Sequence, residues 1–404
     1  MAGDTNSMEY LVRERYMKKI RAGRDDCDVI KVITGVRRCG KSVLMRMYLQ
    51  ELKDSGVDDD HLLYIDFDSF EGRGIKVAED LDAILLERIP EEGIFYVLFD
   101  EIQNVRGWEM TLASLNSYGR CDVYITGSNS DMLSSDLATH ISGRHTEIRV
   151  MPFSLKEFVM KNGYSDLDRA MKDYMYYGGL PGLDISRGEE YCTDYLNGVF
   201  NTVIVKDVMR HQGVTDLEKM VSIAHFIQSN IGNITNNDTI AMELGLASTT
   251  VSRYILAMRD ALLFYRCPRY DMVGKKLLKT NGKYYVTDLG MRNAELGMPA
   301  GADMGHSLEN IVFLELLRRG YDVRVGSFLD SEIDFMARKG GDVQYFQISL
   351  TMLSEETMER ELRPFNHVRD NYVKTVLTLD RFGLGDRNGI KIVNVIDWLM
   401  DTEI

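Results

Sequence analysis

Residues 35–42 read Gly35-Val36-Arg37-Arg38-Cys39-Gly40-Lys41-Ser42, with Val43 following. Glycine at the first and sixth places, then lysine and a hydroxyl residue, is the pattern of a phosphate-binding loop. The flanks agree with it. Val29-Ile30-Lys31-Val32-Ile33-Thr34 is a β-rich apolar run, and Val43 to Leu49 reads as a helix. A strand, a glycine-bearing loop and a helix N-terminus turn successive backbone N–H groups toward an anion, and the helix dipole favours its charge. On this reading Gly35 to Val43 line the phosphates of ATP. Lys41 reaches the β- and γ-phosphates and Ser42 puts its hydroxyl on Mg²⁺. Arg37 and Arg38 are open to phosphate contact, to a partner subunit or to solvent.

About 60 residues further on, Phe95-Tyr96-Val97-Leu98-Phe99 is a second apolar run ending in Asp100-Glu101. An acid at such a strand end helps Ser42 fix the metal, and the next carboxylate orients or deprotonates the attacking water. Asp100 is thus the expected metal-side acid and Glu101 the expected catalytic base. A further strand, Val123 to Thr126, runs into Gly127-Ser128-Asn129. A polar side chain there would lie between the strands bearing Lys41 and Asp100, so Asn129, or Ser128, is the candidate contact to the γ-phosphate or water.

The 404 residues exceed one ordinary core, so two to four domains are expected. Hydrophobic residues make up 45% and charged residues 27%, a globular composition. No apolar stretch approaches the roughly 20 residues of a membrane span, and no basic-then-apolar leader opens the chain. Cysteines at 27, 39, 121, 192 and 267 form no CxxC pair, which fits a reducing cytoplasm. A net charge of −14 argues against a surface that binds nucleic acid throughout.

From 29 to 150, apolar runs alternate with helical stretches. They are 29–34, Leu62-Leu63-Tyr64-Ile65-Asp66, 95–99, 123–126 and 145–150. That pattern predicts a parallel sheet buried on both faces. A helix is expected over Tyr10 to Tyr16. Residues 151–215 read as helical, interrupted by Tyr177-Gly178-Gly179-Leu180-Pro181-Gly182. The domains expected are a core over 1–150, a helical segment over 151–215, a helix-turn-helix with a wing over 216–295, and a mixed α/β domain over 303–404.

Thr239 to Leu246 and Ser248 to Tyr254 resemble a helix-turn-helix, with a helix ending at Gly245 and Ser248 as cap of the next. Val251, Ile255, Met258 and Leu262 fall on one face, which leaves Thr249, Ser252, Arg253 and Arg259 largely outward. Phe264 to Tyr270, a turn at Val273-Gly274-Lys275-Lys276, and Lys283 to Thr287 form the wing. Over 245–295 nine Lys or Arg stand against four Asp or Glu, giving 9 − 4 = +5 in an acidic chain. Such an island would give salt-sensitive DNA contacts, with Thr249, Ser252, Arg253, Lys275 and Lys276 as candidates. The same module also serves as a protein-contact element.

The C-terminal order resembles the PD-(D/E)xK nuclease core, also called restriction-endonuclease-like. Glu309 is expected near a helix start, and Asp334 in Ser331-Glu332-Ile333-Asp334-Phe335 is the strand acid. In Tyr345-Phe346-Gln347-Ile348-Ser349, Gln347 stands for the second acid and Ser349 for the lysine. Without those groups, metal binding and cleavage are expected to be lost.

The loop, Asp100-Glu101-Ile102-Gln103 with Trp108-Glu109, Thr126-Gly127-Ser128, Ser142-Gly143-Arg144, Pro152-Phe153-Ser154 and Tyr177 to Gly182 together resemble a prokaryotic family of AAA+-type ATPases. The resemblance spans nearly the whole chain. It implies a P-loop NTPase α/β core with a helical lid, hydrolysis of ATP to ADP and phosphate, and a homo-oligomer, for which a ring is one form. It also implies that Arg144, one residue before the last core strand, acts as a finger in a neighbour's site, with Arg120 the alternative. The expected function is an ATPase coupling nucleotide state to DNA. The alternatives are a nucleotide-dependent switch or scaffold on a protein partner, and an ATP-dependent nuclease.

Overall fold

The computed structural model describes residues 10–129, 143–209, 216–328 and 330–401. The chain divides into two compact units, one running to Met151 and the other from Pro152 to Thr402.

In the first unit the apolar runs become β1 (Ile30–Thr34), β2 (Leu62–Asp66), β3 (Phe95–Asp100), β4 (Cys121–Gly127) and β5 (His145–Arg149). They form one parallel sheet in the order β2-β3-β4-β1-β5. Every residue of β1, β3 and β4 is buried, as a sheet covered on both faces requires. The pleat then divides the labour. Ile30, Val32, Val97, Phe99, Val123 and Ile125 share an apolar core with Leu81 and Leu85 of α3 (Ala78–Arg88) and with Trp108 and Leu112 of α4 (Trp108–Tyr118). The alternate residues turn to the other face and carry polar groups: Lys31 pairs with Asp122, and Asp100 with Thr126. That face meets α1 (Glu14–Ala22) and α2 (Lys41–Asp54). The Tyr124 hydroxyl donates to the Ile20 carbonyl at 2.9 Å, and Tyr48 donates to Tyr124 at 3.2 Å. The helix expected over Tyr10 to Tyr16 begins only at Glu14. Arg13 precedes it in a non-helical conformation, its guanidinium engaged with distant carbonyls.

The second unit opens with α5 (Leu155–Asn162), capped reciprocally: the Ser154 hydroxyl accepts from the Glu157 N–H and the Glu157 carboxylate from the Ser154 N–H. There follow α6 (Leu167–Tyr177), α7 (Glu189–Thr202) continuing into a π-helical turn over Val203–Met209, α8 (Leu217–Ser229), α9 (Asn237–Leu244) and α10 (Ser248–Asp260). Next come β6 (Phe264–Asp271), β7 (Lys276–Val286), α11 (Leu289–Leu296), α12 (Met304–Arg318), β8 (Asp322–Ser327), β9 (Glu332–Lys339) and β10 (Asp342–Ser349). The chain ends through α13 (Glu355–Leu362), β11 (Val373–Thr378), β12 (Gly385–Arg387), β13 (Ile390–Asn394) and α14 (Val395–Met400).

The strands of this unit make one mixed sheet in the order β12-β13-β11-β10-β9-β8-β6-β7. The hairpin expected as a wing is therefore the edge of the C-terminal sheet. β6 pairs in parallel with β8 through Arg269↔Val325, Tyr270↔Gly326 and Asp271↔Ser327. The expected break between 295 and 303 does not separate two sheets, because the backbone of 269–271 finds its partners beyond it. Gly178 explains part of the glycine run before Leu180. Its φ is +73°, and a Cβ there would lie 2.3 Å from the Asp288 carboxylate, which accepts the Gly179 N–H at 2.7 Å. Among the described residues no helix is long and apolar enough to cross a membrane.

Candidate functional site

β1 delivers the chain to the loop and α2 receives it. Gly40 is the N-cap of α2 with φ +103°, a region glycine enters without steric cost. Gly35 is needed for close approach instead, since a Cβ there would stand 2.3 Å from the Val150 carbonyl and 2.6 Å from the Cys39 sulfur. Lys41 is the first residue of α2, and its Nζ donates to the Gly35 carbonyl at 2.9 Å and lies 3.5 Å from Glu101. Arg37 pairs with Asp68 at 3.3 Å. Arg38 is exposed and has a left-handed backbone, φ +66°. Burial pushes the Cys39 thiol up, so it stands in the loop as a small apolar group.

Asp100 and Glu101 are brought to Lys41 and Ser42 by the sheet order, which puts β4 alone between β3 and β1. Asp100 is fully buried. It accepts from Thr126 Oγ1, from the Tyr64 hydroxyl at 3.2 Å and from Ser42. Burial raises its pKa, and the hydrogen bonds from Thr126 and Ser42 oppose that rise. Glu101 has a left-handed backbone at φ +58°, held by its N–H donating to Thr126 Oγ1 at 2.9 Å. A non-glycine residue in that region costs of order 1–3 kcal/mol and recurs where a side chain must be aimed. Its carboxylate is flanked by Lys41 and by Gln103 Nε2, the latter at 2.5 Å. A lysine, a helix N-terminus and a buried carboxylate beside a serine hydroxyl are the donor set that a phosphate with a hard divalent cation requires.

Asn129 and Ser128 are both buried just past β4, and Gln103 Nε2 lies 3.4 Å from Ser128 Oγ. Arg144 is placed elsewhere. It is exposed, and its carbonyl accepts the Ile30 N–H at the start of β1. Four residues at about 3.3 Å each put it roughly 13 Å from the loop end of that strand, so it does not reach Lys41 of its own unit. Arg120 donates to the Glu91 carbonyl and lies over Tyr118 at 5.2 Å. Ser142 lies outside the described residues.

Sequence reasoning missed the supports. Thr126 holds both acids in place and Gln103 ties Glu101 to Ser128, and each was visible only as part of a motif. Tyr64 and Arg13 carried no local signal.

In the second unit Thr249, Ser252, Arg253 and Arg259 are exposed along α10, and Lys275 and Lys276 at the hairpin turn. The count over 245–295 overstates the surface charge, however. Lys283 and Arg292 point inward, 3% and 1% exposed, the latter paired with Asp303. Ser248 is not the cap of α10. Ala247 takes that place and the Ser248 hydroxyl donates to Asp238 at 2.5 Å, a closer acceptor than the helix end offers a donor. Glu309 lies within α12 rather than at its start. Lys283 Nζ stands 2.9 Å from Glu309, 2.9 Å from Glu332 and 3.7 Å from Asp334, and the Tyr285 hydroxyl donates to Glu309 at 2.6 Å. Burial would lower the Lys283 pKa, but Glu309, Asp334 and Glu332 outweigh it and hold the ammonium above its ordinary value. Gln347 accepts the Asp334 N–H at 3.3 Å and donates to Glu361 at 3.1 Å, while Ser349 donates to the Thr351 carbonyl. Among the described residues no group of three or more His, Cys, Asp or Glu could hold a metal ion.

The chain matches the model of an AAA domain over residues 28–159 and that of a domain of unknown function (DUF8612) over 168–301. An uncharacterized protein of Haemophilus influenzae is 37% identical over 404 residues, covering 98% of this chain and 100% of that one. An uncharacterized protein of Methanocaldococcus jannaschii is 29% identical, over 83% and 78% of the two chains. Among solved structures, the Aeropyrum pernix ORC1 protein in complex with DNA aligns at a TM-score of 0.30 and 12% identity, over 72% of this chain and 94% of that one. At 37% identity over the full length of the Haemophilus influenzae protein, the chain belongs to that protein's family, one built on a P-loop ATPase domain of the AAA type.

Proposed function

We propose that the chain binds ATP with Mg²⁺ at the loop and hydrolyses it to ADP and phosphate. The observation that carries this is the convergence of Lys41, Ser42, Asp100 and Glu101 at one end of one sheet. Lys41 and the backbone of Gly35 to Val43 would hold the phosphates, and Ser42 with Asp100 would hold the metal. When bound, Mg²⁺ neutralises charge on the phosphate oxygens. Glu101 orients the attacking water and accepts its proton, and Asn129 contacts the γ-phosphate from β4. A phosphate entering the loop competes with Glu101 for Lys41, which frees the carboxylate for the water. Phosphate release in Mg²⁺ tests the reading. Lys41→Ala should lose both binding and turnover, and Glu101→Gln should keep binding while turnover falls about 10²-fold or more. Turnover at the wild-type rate in Glu101→Gln would show that the base lies elsewhere.

Arg144 would act in trans, since it is remote from its own loop, and this requires a homo-oligomer. Arg144→Ala should bind ATP normally and turn it over about 10³-fold more slowly. Mixing it with Lys41→Ala should restore part of the rate through one intact interface. ATPase from a strict monomer, independent of concentration, defeats the trans role.

The second unit would couple this cycle to DNA through Thr249, Ser252, Arg253, Lys275 and Lys276. One observation favours a protein partner instead. Met242, Leu256, Val273 and Leu277 are exposed among these same elements, 74%, 51%, 72% and 50% respectively. Turnover stimulated several-fold by duplex or branched DNA supports the first reading, and ATP binding without that stimulation supports the second. No cleavage is expected, because Gln347 and Ser349 stand where a second acid and a lysine would be needed, and Lys283 already sits among Glu309, Glu332 and Asp334.

A further inference from the structure

Arg13 is 3% exposed although it is a charged residue just ahead of α1. Its fork is spread between two carbonyls far apart in sequence. NH1 donates to Cys39 of the phosphate loop at 3.0 Å and NH2 to Met151 at 2.9 Å. Tyr16, in the first turn of α1, completes the clasp. The Arg13 guanidinium lies 4.5 Å over its ring, and its hydroxyl accepts the Met151 N–H at 3.2 Å. The loop and this segment also meet backbone to backbone. The Val150 N–H donates to the Thr34 carbonyl at 2.7 Å, and the Val150 carbonyl takes the space where Gly35 lacks a Cβ. Met151 is the last residue of the first unit before the chain enters the second.

We propose that Arg13 is a positioning residue that ties the phosphate loop to Met151, so that a nucleotide ordering the loop also orders the point where the chain leaves the ATPase unit. This rests on the nucleotide reading given above. The physical reason is the shape of the guanidinium. Its planar fork satisfies two acceptors in fixed directions, whereas an ammonium is a single point charge. A buried cation behind the loop also adds positive potential where phosphate charge would gather. The device has two separable outputs: the charge contributes to nucleotide affinity, and the fork links loop order to order at residues 150–151.

The test uses the full chain as wild type, Arg13→Lys and Arg13→Ala. Affinity is read with a fluorescent ATP analogue in Mg²⁺, and amide hydrogen exchange is followed in peptides covering 148–155. In the wild type, nucleotide should slow exchange of the Val150 and Met151 amides. Arg13→Ala should weaken affinity about 10-fold, through the loss of a buried positive charge behind the phosphate loop, and abolish the slowing. Arg13→Lys should recover most of the affinity but not the slowing, a split that general destabilisation does not produce. It also serves as the test if Arg13→Ala fails to fold. Wild-type affinity together with wild-type slowing in either variant overturns the inference. A wild-type chain that binds no nucleotide overturns the nucleotide reading itself, and this inference with it.

Discussion

Lys41 stands at the first turn of α2, beside the Gly35 carbonyl and 3.5 Å from Glu101. Lys283 stands inside the second unit with two carboxylates at 2.9 Å and a third at 3.7 Å. Both are about equally buried, 3% exposed. The difference lies in how the surrounding charge is arranged. Around Lys41 the dipole of α2 adds positive potential, which on the proposed function would suit the lysine to an incoming anion. Around Lys283 acids outnumber the base, so the lysine acts as their counter-ion. A buried lysine therefore says little by residue type, and its neighbours decide whether it binds or braces.

Removing each lysine should break the comparison in opposite ways, and these are the largest effects expected. Lys41→Ala should abolish nucleotide binding with little change in stability. Lys283→Met should leave Glu309 buried without its cation, a loss of about 3–5 kcal/mol. Urea unfolding followed through Trp398 in a Trp108→Phe background reports the second unit, and phosphate release reports the first. Equal stability of Lys283→Met and the wild type would mean that the acids are solvated and that the bracing role is wrong.

The two sites were unequally legible in the sequence. The loop could be read because its chemistry is contiguous: Gly35, Gly40, Lys41 and Ser42 lie within eight residues between a strand and a helix. Asp100 and Glu101 could be read because an apolar strand ended on them. Lys283 counts toward the basic stretch over 245–295, since composition cannot tell a cation that faces solvent from one that faces Glu309, 26 positions away. The place of the hairpin in the sheet was hidden for a similar reason. Parallel pairing of 269–271 with 325–327 leaves no short-range pattern. Arg13 was hidden because a polar residue ahead of a helix normally faces water.

A smaller effect sharpens the account of the acidic centre. Burial and then Glu309 push Asp334 up to about 8, against Lys283, which pulls it down. The folded state thus binds this proton more tightly than the unfolded chain, and its contribution to stability is complete below the ordinary carboxylate range and is lost as pH rises to about 8. Lys283 stays charged across that range, its own pKa being raised. Asp288, raised to about 6 by burial, acts with the same sign but lower down. Between about pH 6 and about pH 8, the stability of the wild type should therefore fall more steeply than that of Asp334→Asn. Parallel slopes in urea titrations would place Asp334 in its ordinary range.

The smallest effect concerns the cations that do face solvent. If α10 and the hairpin turn meet DNA, Arg253, Lys275 and Lys276 contribute as exposed charges, each releasing about one counter-ion on phosphate contact. Reversing all three to Glu should weaken affinity and lower the slope of log K against log salt by about three. Lys283→Met belongs beside them as the contrasting variant, tested where it remains folded. It removes a cation from the same stretch of sequence, yet one turned inward, so the salt slope should not move. Basal ATP turnover without DNA should change little in the triple variant, since all three residues belong to the second unit. A slope that falls equally for the buried and the exposed cations would mean that net charge, not this face, governs binding. A slope unchanged by the triple reversal would leave the exposed apolar residues Met242, Leu256, Val273 and Leu277 as the better guide to the partner.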